Sequence, residues 1–219
     1  MLKAILFDLD GTLINSEHFY MEGWNEVLAE VGAQLTFEDW VNNYMGTSLH
    51  QNALALKVKY GLSAPVEELV ARRQVLNAGR FKATDVELMP FAAENLEFYR
   101  HKGLRMTIAT SSQRPDVDAI FERNGLGHFF EFMVTRNDVE NGKPHPEGYL
   151  KCLEKLGIEK HECVVFEDTD IGIAAAKAAG LVCYAIQSNI ADHAKLYTAD
   201  QIFTDLNQAK EHLLKNNLL

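Results

Sequence analysis

Asp8 and Asp10 stand one residue apart in Phe7-Asp8-Leu9-Asp10-Gly11-Thr12-Leu13, directly after the apolar run Ala4-Ile5-Leu6-Phe7. In an extended segment the two carboxylates point the same way, and like charges that close repel unless a cation or a shared proton relieves them. A hard divalent ion such as Mg²⁺ suits such a pair. It takes one or two carboxylates and leaves room for waters and phosphate oxygens, so the chemistry on offer is work on a phosphate. Asp-Gly is also a common turn signal, and both acids would equally serve as turn or cap residues before a helix.

Three further polar clusters follow apolar runs. Thr110-Ser111-Ser112 comes after Met106-Thr107-Ile108-Ala109 and offers hydroxyls and backbone N–H groups to an anion, although Ser and Thr are ordinary helix caps as well. Lys143-Pro144-His145-Pro146 holds a cation in a loop stiffened by two prolines, where a solvated lysine is the plain alternative. Glu167-Asp168-Thr169-Asp170 follows Cys163-Val164-Val165-Phe166, and Thr169 or Asp170 is placed to cap the next helix. Acids, hydroxyls, a lysine and acids again, each at a strand end of one parallel sheet, would meet in a single crevice.

The elements needed to bring them there are legible. Short apolar runs at 4–7, 104–109, 131–134, 163–166, 182–186 and 201–203 alternate with segments of helical period: Ala92, Leu96, Tyr99; Val117, Ile120, Phe121; Leu150, Leu153, Leu156; Ile171, Ala174, Ala175, Ala178. Gly103, Gly125, Gly157 and Gly180 stand where left-handed helix ends are wanted. The pattern predicts an α/β fold, a doubly wound parallel sheet with right-handed crossovers. Residues 16–85 interrupt it. Tyr20, Trp24, Val27, Leu28 and Val31 form one helical stripe and Val66, Leu69, Val70, Arg73 and Leu76 another, with no convincing strand between them. A small inserted α-helical domain at 16–85 is expected, splitting a core of 1–15 and 86–219, because about seventy residues far exceeds a usual crossover.

Composition narrows the partners. With 21 Lys and Arg against 31 Asp and Glu, the net charge of −10 gives no basic footprint for nucleic acid or an anionic membrane. No apolar run approaches the ~20 residues of a spanning helix, and Asp8 interrupts the first run too early for a signal peptide, so a cytoplasmic protein is expected. Cys152, Cys163 and Cys183 lie in apolar stretches without metal-site spacing and read as buried, reduced thiols. His128, His145 and His161 share no ligand spacing. Leu213 to Leu219 reads as the end of a packing helix with a frayed tail.

Asp8-Leu9-Asp10-Gly11-Thr12-Leu13, Thr110-Ser111-Ser112, Lys143-Pro144 and Glu167-Asp168 with the Gly172–Gly180 helix resemble, in order, the four motifs of the haloacid dehalogenase superfamily. The subfamily resemblance is to β-phosphoglucomutase-like proteins and sugar-phosphate phosphatases with a helical cap. It implies a Rossmann-like core, an aspartyl-phosphate intermediate on Asp8, and Asp10 as general acid/base. It further implies phosphate contacts from Thr110, Ser111 and Lys143, and Mg²⁺ held by Asp8, the Asp10 backbone carbonyl and Asp168, with Glu167 in support. The implied partner is a small phosphorylated metabolite.

Mutases of the family resemble one another in an Arg on the cap after a Gly-x-Ser stretch, whereas Gly46-Thr47-Ser48 here precedes Leu49. The family's entry His four residues before Trp is replaced by Tyr20 before Trp24, which leaves His18 as the substitute. His18 and Tyr20 are therefore the cap residues assigned to substrate. Both departures favour a phosphatase over a sugar phosphomutase. A receiver-like phospho-acceptor module, which also gathers acids, a hydroxyl and a Lys around Mg²⁺, is the reading from another class, and Asp10 argues for turnover against it.

Overall fold

Ala4, Ile5, Leu6 and Phe7 are wholly buried because β1 (Ala4–Phe7) is a middle strand of a parallel sheet with both faces covered. In the computed structural model of the chain, which describes residues 1–45 and 47–219, six strands lie in the order β3-β2-β1-β4-β5-β6. The others are β2 (Arg105–Ala109), β3 (Phe132–Val134), β4 (Cys163–Glu167), β5 (Val182–Ile186) and β6 (Gln201–Phe203). All five pairings are parallel, with Phe7 opposite Ile108 on one side and Phe166 on the other. Connections run outward from β1 to β3, then cross back to β4. Such a reversal opens a crevice at the carboxyl ends of β1 and β4, where doubly wound sheets bind their ligands.

The chain divides into two compact units, Met1–Asn15 with Glu87–Leu219, and Ser16–Val86. Among the described residues the regular elements of the second are all helices, chiefly α1 (Glu17–Leu28), α2 (Phe37–Asn43), α3 (Leu49–Tyr60) and α4 (Val66–Ala83). Its interior is Trp24, Val27, Leu28, Trp40, Leu56 and Leu69. Val31 is an exception to the expected stripe, since α1 ends at Leu28 and a 3₁₀ turn carries Val31 out to 46% exposure. The periodicity did not single out α2 or α3. Leu54 and Val58 on α3 face solvent and blur its stripe, but the capping box in which Ser48 and Gln51 exchange hydrogen bonds marks its start.

In the first unit, α5 (Ala92–His101), α6 (Arg114–Asn124), α7 (Glu147–Leu156), α8 (Asp170–Ala178) and α9 (Leu206–Lys215) flank the sheet. Side chains alternate along each strand, so β1 and β4 present two different rows. Ala4 and Leu6 with Cys163 and Val165 pack under Tyr149, Cys152, Leu153 and Leu156 of α7 and Ile173, Ala175 and Ala176 of α8. Phe7 and Phe166 point the other way into an aromatic layer with Tyr99 of α5, ring centroids 5.3–6.3 Å apart.

Leu150, expected inside, is 40% exposed, and Tyr149 and Cys152 take its place in the core. Likewise Ala174 and Ala178 face solvent while Gly172, Ile173, Ala175 and Ala176 are buried, because an alanine-rich helix has no apolar contrast from which to read a face. The frayed tail is also corrected: Leu2 N–H donates to the Leu218 carbonyl at 2.8 Å, tying the end of the chain to its start. The three cysteines are free and buried, and burial pushes the Cys152 and Cys163 thiols up to about 12. Among the described residues no helix is long and apolar enough to cross a membrane.

Candidate active site

Extending the alternation of β1 and β4 by one step places Asp8 after Ala4 and Leu6, and Glu167 after Cys163 and Val165, on the face that α7 covers. The ladder persists to this point, for Asp8 N–H donates to Phe166 O at 2.9 Å. Lys143 reaches this face from the loop before α7. Its Nζ lies 2.5 Å from Asp8 Oδ1 and 2.5 Å from Glu167 Oε1. The Lys143-Pro144 bond is cis.

Glu167 is fully buried, and both of its oxygens are occupied. Oε1 accepts from Lys143 and from Tyr149 Oη at 2.9 Å, and Oε2 accepts from the amides of Asp168 and Thr169 and the Thr169 hydroxyl at 3.0–3.2 Å. Thr169 also caps α8 by accepting from Gly172 N–H. Gly172 leaves the space Glu167 needs, since a Cβ there would stand 1.8–2.2 Å from the carboxylate atoms. Gly11 does the same for Asp168, whose Oδ2 would lie 2.2 Å from an added Cβ, and its φ of +79° also favours glycine.

Asp8, Glu167 and Asp168 each offer an oxygen within 4.8 Å of the others. Three carboxylates against one ammonium leave a net negative site of hard oxygen donors, the chemistry that suits Mg²⁺. Asp8 and Asp168 are the direct donors this geometry favours, because Glu167 has already spent its lone pairs. Asp168 Oδ1 accepts from the Thr12 hydroxyl at 3.3 Å. Burial pushes the Asp8 carboxyl well above the usual carboxylate range, against the pull of Lys143 and with added repulsion from Glu167 and Asp10.

The carboxylate of Asp10 is not among the three that group within 4.8 Å of one another. The strand ends before it. Asp10 bridges to Ile14, and Gly11 N–H donates to Ile14 O within a tight turn, so alternation no longer governs its direction. Asp10 Oδ2 instead accepts from Ser112 Oγ at 2.5 Å and Thr110 Oγ1 at 3.3 Å, beyond β2. Ser112 N–H in turn donates to Thr110 Oγ1, fixing that hydroxyl. Thr110, Ser111 and Lys143 line one cavity of about 20 Å³, with Arg136, His145 and Tyr149 on its other walls.

Ser112 and Tyr149 were not singled out by sequence reasoning. Ser112 belongs to the Thr110 cluster, but its carboxylate partner is 102 positions away. Tyr149 sits on an apolar helix face and reads as core. His18 and Tyr20 lie in the helical unit. The His18 ring stacks on Phe37 at 4.0 Å, and Tyr20 receives the Arg73 guanidinium on its face at 4.5 Å. Leu49, where mutases carry Arg, opens α3 and packs against the core of that unit. Gly46 lies outside the described residues.

Residues 5–186 match the family profile described as haloacid dehalogenase-like hydrolase. A phosphorylated carbohydrates phosphatase of Thermotoga maritima is 32% identical over 188 residues, 82% of each chain. Fructose-1-phosphate phosphatase YqaB of Escherichia coli is 29% identical over 81% of this chain and 93% of its own. Among solved structures, a HAD family hydrolase from Deinococcus radiodurans with bound phosphate and sodium superposes with a TM-score of 0.80 at 26% identity, covering 100% of this chain and 97% of that one. On this match of motifs, sheet order and sequence, the chain belongs to the haloacid dehalogenase-like hydrolase family, and it is an enzyme.

Proposed function

We propose that the protein is a phosphatase that hydrolyses small phosphorylated metabolites, sugar phosphates foremost, through a phosphoaspartate on Asp8. The observation that carries this reading is the separation of the two acids. Asp8 is paired with Lys143 on the Glu167–Asp168 side, while Asp10 is held by Ser112 and Thr110 on the other. A nucleophile and a proton carrier in different surroundings are what two-step phosphoryl transfer requires.

An Asp8 oxygen attacks phosphorus and the ester bond to the leaving alcohol breaks. Asp10, as the acid, supplies the proton that the departing alkoxide takes. The resulting acyl phosphate is then attacked by water, whose proton passes to Asp10 as the phosphorus–Asp8 bond breaks, releasing inorganic phosphate and restoring both acids. Lys143, Thr110 and the Ser111 amide balance the charge spread over the transferring oxygens, so the chain contributes mainly positioning and electrostatics. Mg²⁺ would be held by Asp8, Asp168 and the Asp10 backbone carbonyl with Glu167 behind them, and when bound it neutralises charge on the phosphate oxygens. The names of the Thermotoga and Escherichia relatives support sugar phosphates as the substrate class.

The test is release of inorganic phosphate from a panel of sugar phosphates, nucleotides and phosphoglycolate, with Mg²⁺ and with EDTA. Release from sugar phosphates that EDTA abolishes supports the reading. No release from any ester with Mg²⁺ present would contradict it.

A further inference from the structure

Residues 135–146 connect β3 to α7, twelve positions with a single 3₁₀ turn at Arg136–Asp138, and they carry Lys143. A connection that long is ordinarily mobile, yet here it must hold one ammonium between two carboxylates. Its backbone is gripped from both ends. Glu147, the first residue of α7, turns its carboxylate back onto the loop: Oε1 accepts from Glu140 N–H at 2.9 Å and Oε2 from Asn141 N–H at 2.9 Å. Arg136 Nη1 donates to the Val139 carbonyl at 2.9 Å. Lys151, one turn along α7, donates to Glu147 Oε1 at 2.8 Å and to the Asp138 carbonyl at 2.6 Å. Beyond these grips, His145 N–H closes a turn onto Gly142 O at 3.0 Å, and Lys143 is the next residue inside that turn.

We propose that Glu147 is a positioning residue for Lys143: by tying down the two amides that precede the Gly142–His145 turn, it aims the ammonium at Asp8 and Glu167. The inference rests on the proposed function for its catalytic consequence, but not for its geometry. Glutamine at 147 keeps the size and one acceptor oxygen, and its amide nitrogen is a donor facing a donor, so one of the two grips is lost. The charge-assisted character of the other is lost as well. Lys151 and the two amides hold the Glu147 carboxyl at about 2, so the grip persists across the working pH range.

The experiment is trace acetylation of the whole metal-free protein, with the rate at each lysine read by mass spectrometry, on the parent and on Glu147→Gln, Glu147→Asp and Glu154→Gln. Glu154 is an exposed acid of the same helix and serves as the control. Lys143 is expected to label slowest in the parent and about tenfold faster in Glu147→Gln, the change expected for one bond to a charged group. Lysines outside this loop should be unchanged, except Lys151, which loses its own ion pair with Glu147. Glu147→Asp, which retains both acceptor oxygens, should recover part of the protection. In turnover assays Glu147→Gln should lower kcat about tenfold and leave KM within about twofold.

An unchanged Lys143 rate in Glu147→Gln would overturn the proposal. So would a uniform rise at all lysines with a fall in Tm, which is a general loosening rather than a loss of aim. A selective rise at Lys143 in a protein that releases no phosphate would uphold the positioning role and defeat the phosphatase reading instead.

Discussion

Lys143 Nζ stands 2.5 Å from Asp8 Oδ1 with both side chains nearly closed to solvent, at 11% and 9% exposure. Even so, burial outweighs the ammonium, and the Asp8 carboxyl holds its proton to higher pH than an ordinary carboxylate. The folded state therefore binds that proton more tightly than the unfolded chain does. The stabilisation this confers is complete below the ordinary value of 3.8 and is lost as pH rises through the raised folded value. In the metal-free protein, Asp8→Asn should thus gain Tm relative to the parent as pH is raised from about 5 to about 9. A difference in Tm that does not vary with pH would contradict this. Divalent cation should also bind the parent more tightly at higher pH and release protons on binding, measurable by calorimetry in two buffers.

Gly172→Ala is expected to destabilise by about 2–4 kcal/mol in urea unfolding, despite alanine's better helix propensity. The added Cβ would meet the Glu167 carboxylate at 1.8–2.2 Å, and five hydrogen bonds prevent that group from moving aside. Any relief that shifts Glu167 also withdraws a partner from Lys143, so activity should fall with stability.

Tyr149→Phe removes one donor from a fully buried carboxylate and leaves volume nearly unchanged. Burial and the neighbouring Glu167 hold the phenol pKa far above its usual value, so Tyr149 donates at all working pH values. The expected cost is about 1–3 kcal/mol of stability, read by urea unfolding. Turnover should survive at a reduced rate, because Lys143 still reaches Asp8.

Asp10→Asn should lower kcat by about 10²–10⁴ without comparable loss of cation affinity, since the Asp10 carboxylate is outside the acidic group. Stopped assays with titrated Mg²⁺ separate the two quantities. Equal losses in kcat and in Mg²⁺ affinity would place that carboxylate on the cation.

The centre of the sheet was legible because β1 and β4 are buried on both faces and so appear as continuous apolar runs, Ala4–Phe7 and Cys163–Phe166. Three of the four clusters were legible because they follow apolar runs directly, whereas Lys143 stands nine positions past Val134 and was legible from the prolines that follow it. Direction was harder to read. Period-two reasoning applies to Asp8 and Glu167, which still lie on the strand pleat, and fails at Asp10, which has entered a turn. Helix faces were readable where apolar and polar residues alternate, as at Ala92, Leu96 and Tyr99, and unreadable in the alanine run of α8. Partners distant in sequence, such as Ser112 for Asp10, have no local signature at all.

The central claim is that Asp8 is the group that takes the phosphoryl from a phosphate ester. Its most direct measurement is inorganic phosphate released from the best sugar phosphate of the panel, with Mg²⁺ present, by the parent and by Asp8→Asn, each shown folded by its melting curve. The expected result is turnover by the parent and a loss of about a thousandfold or more in Asp8→Asn. Retained turnover in a folded Asp8→Asn protein would contradict the account.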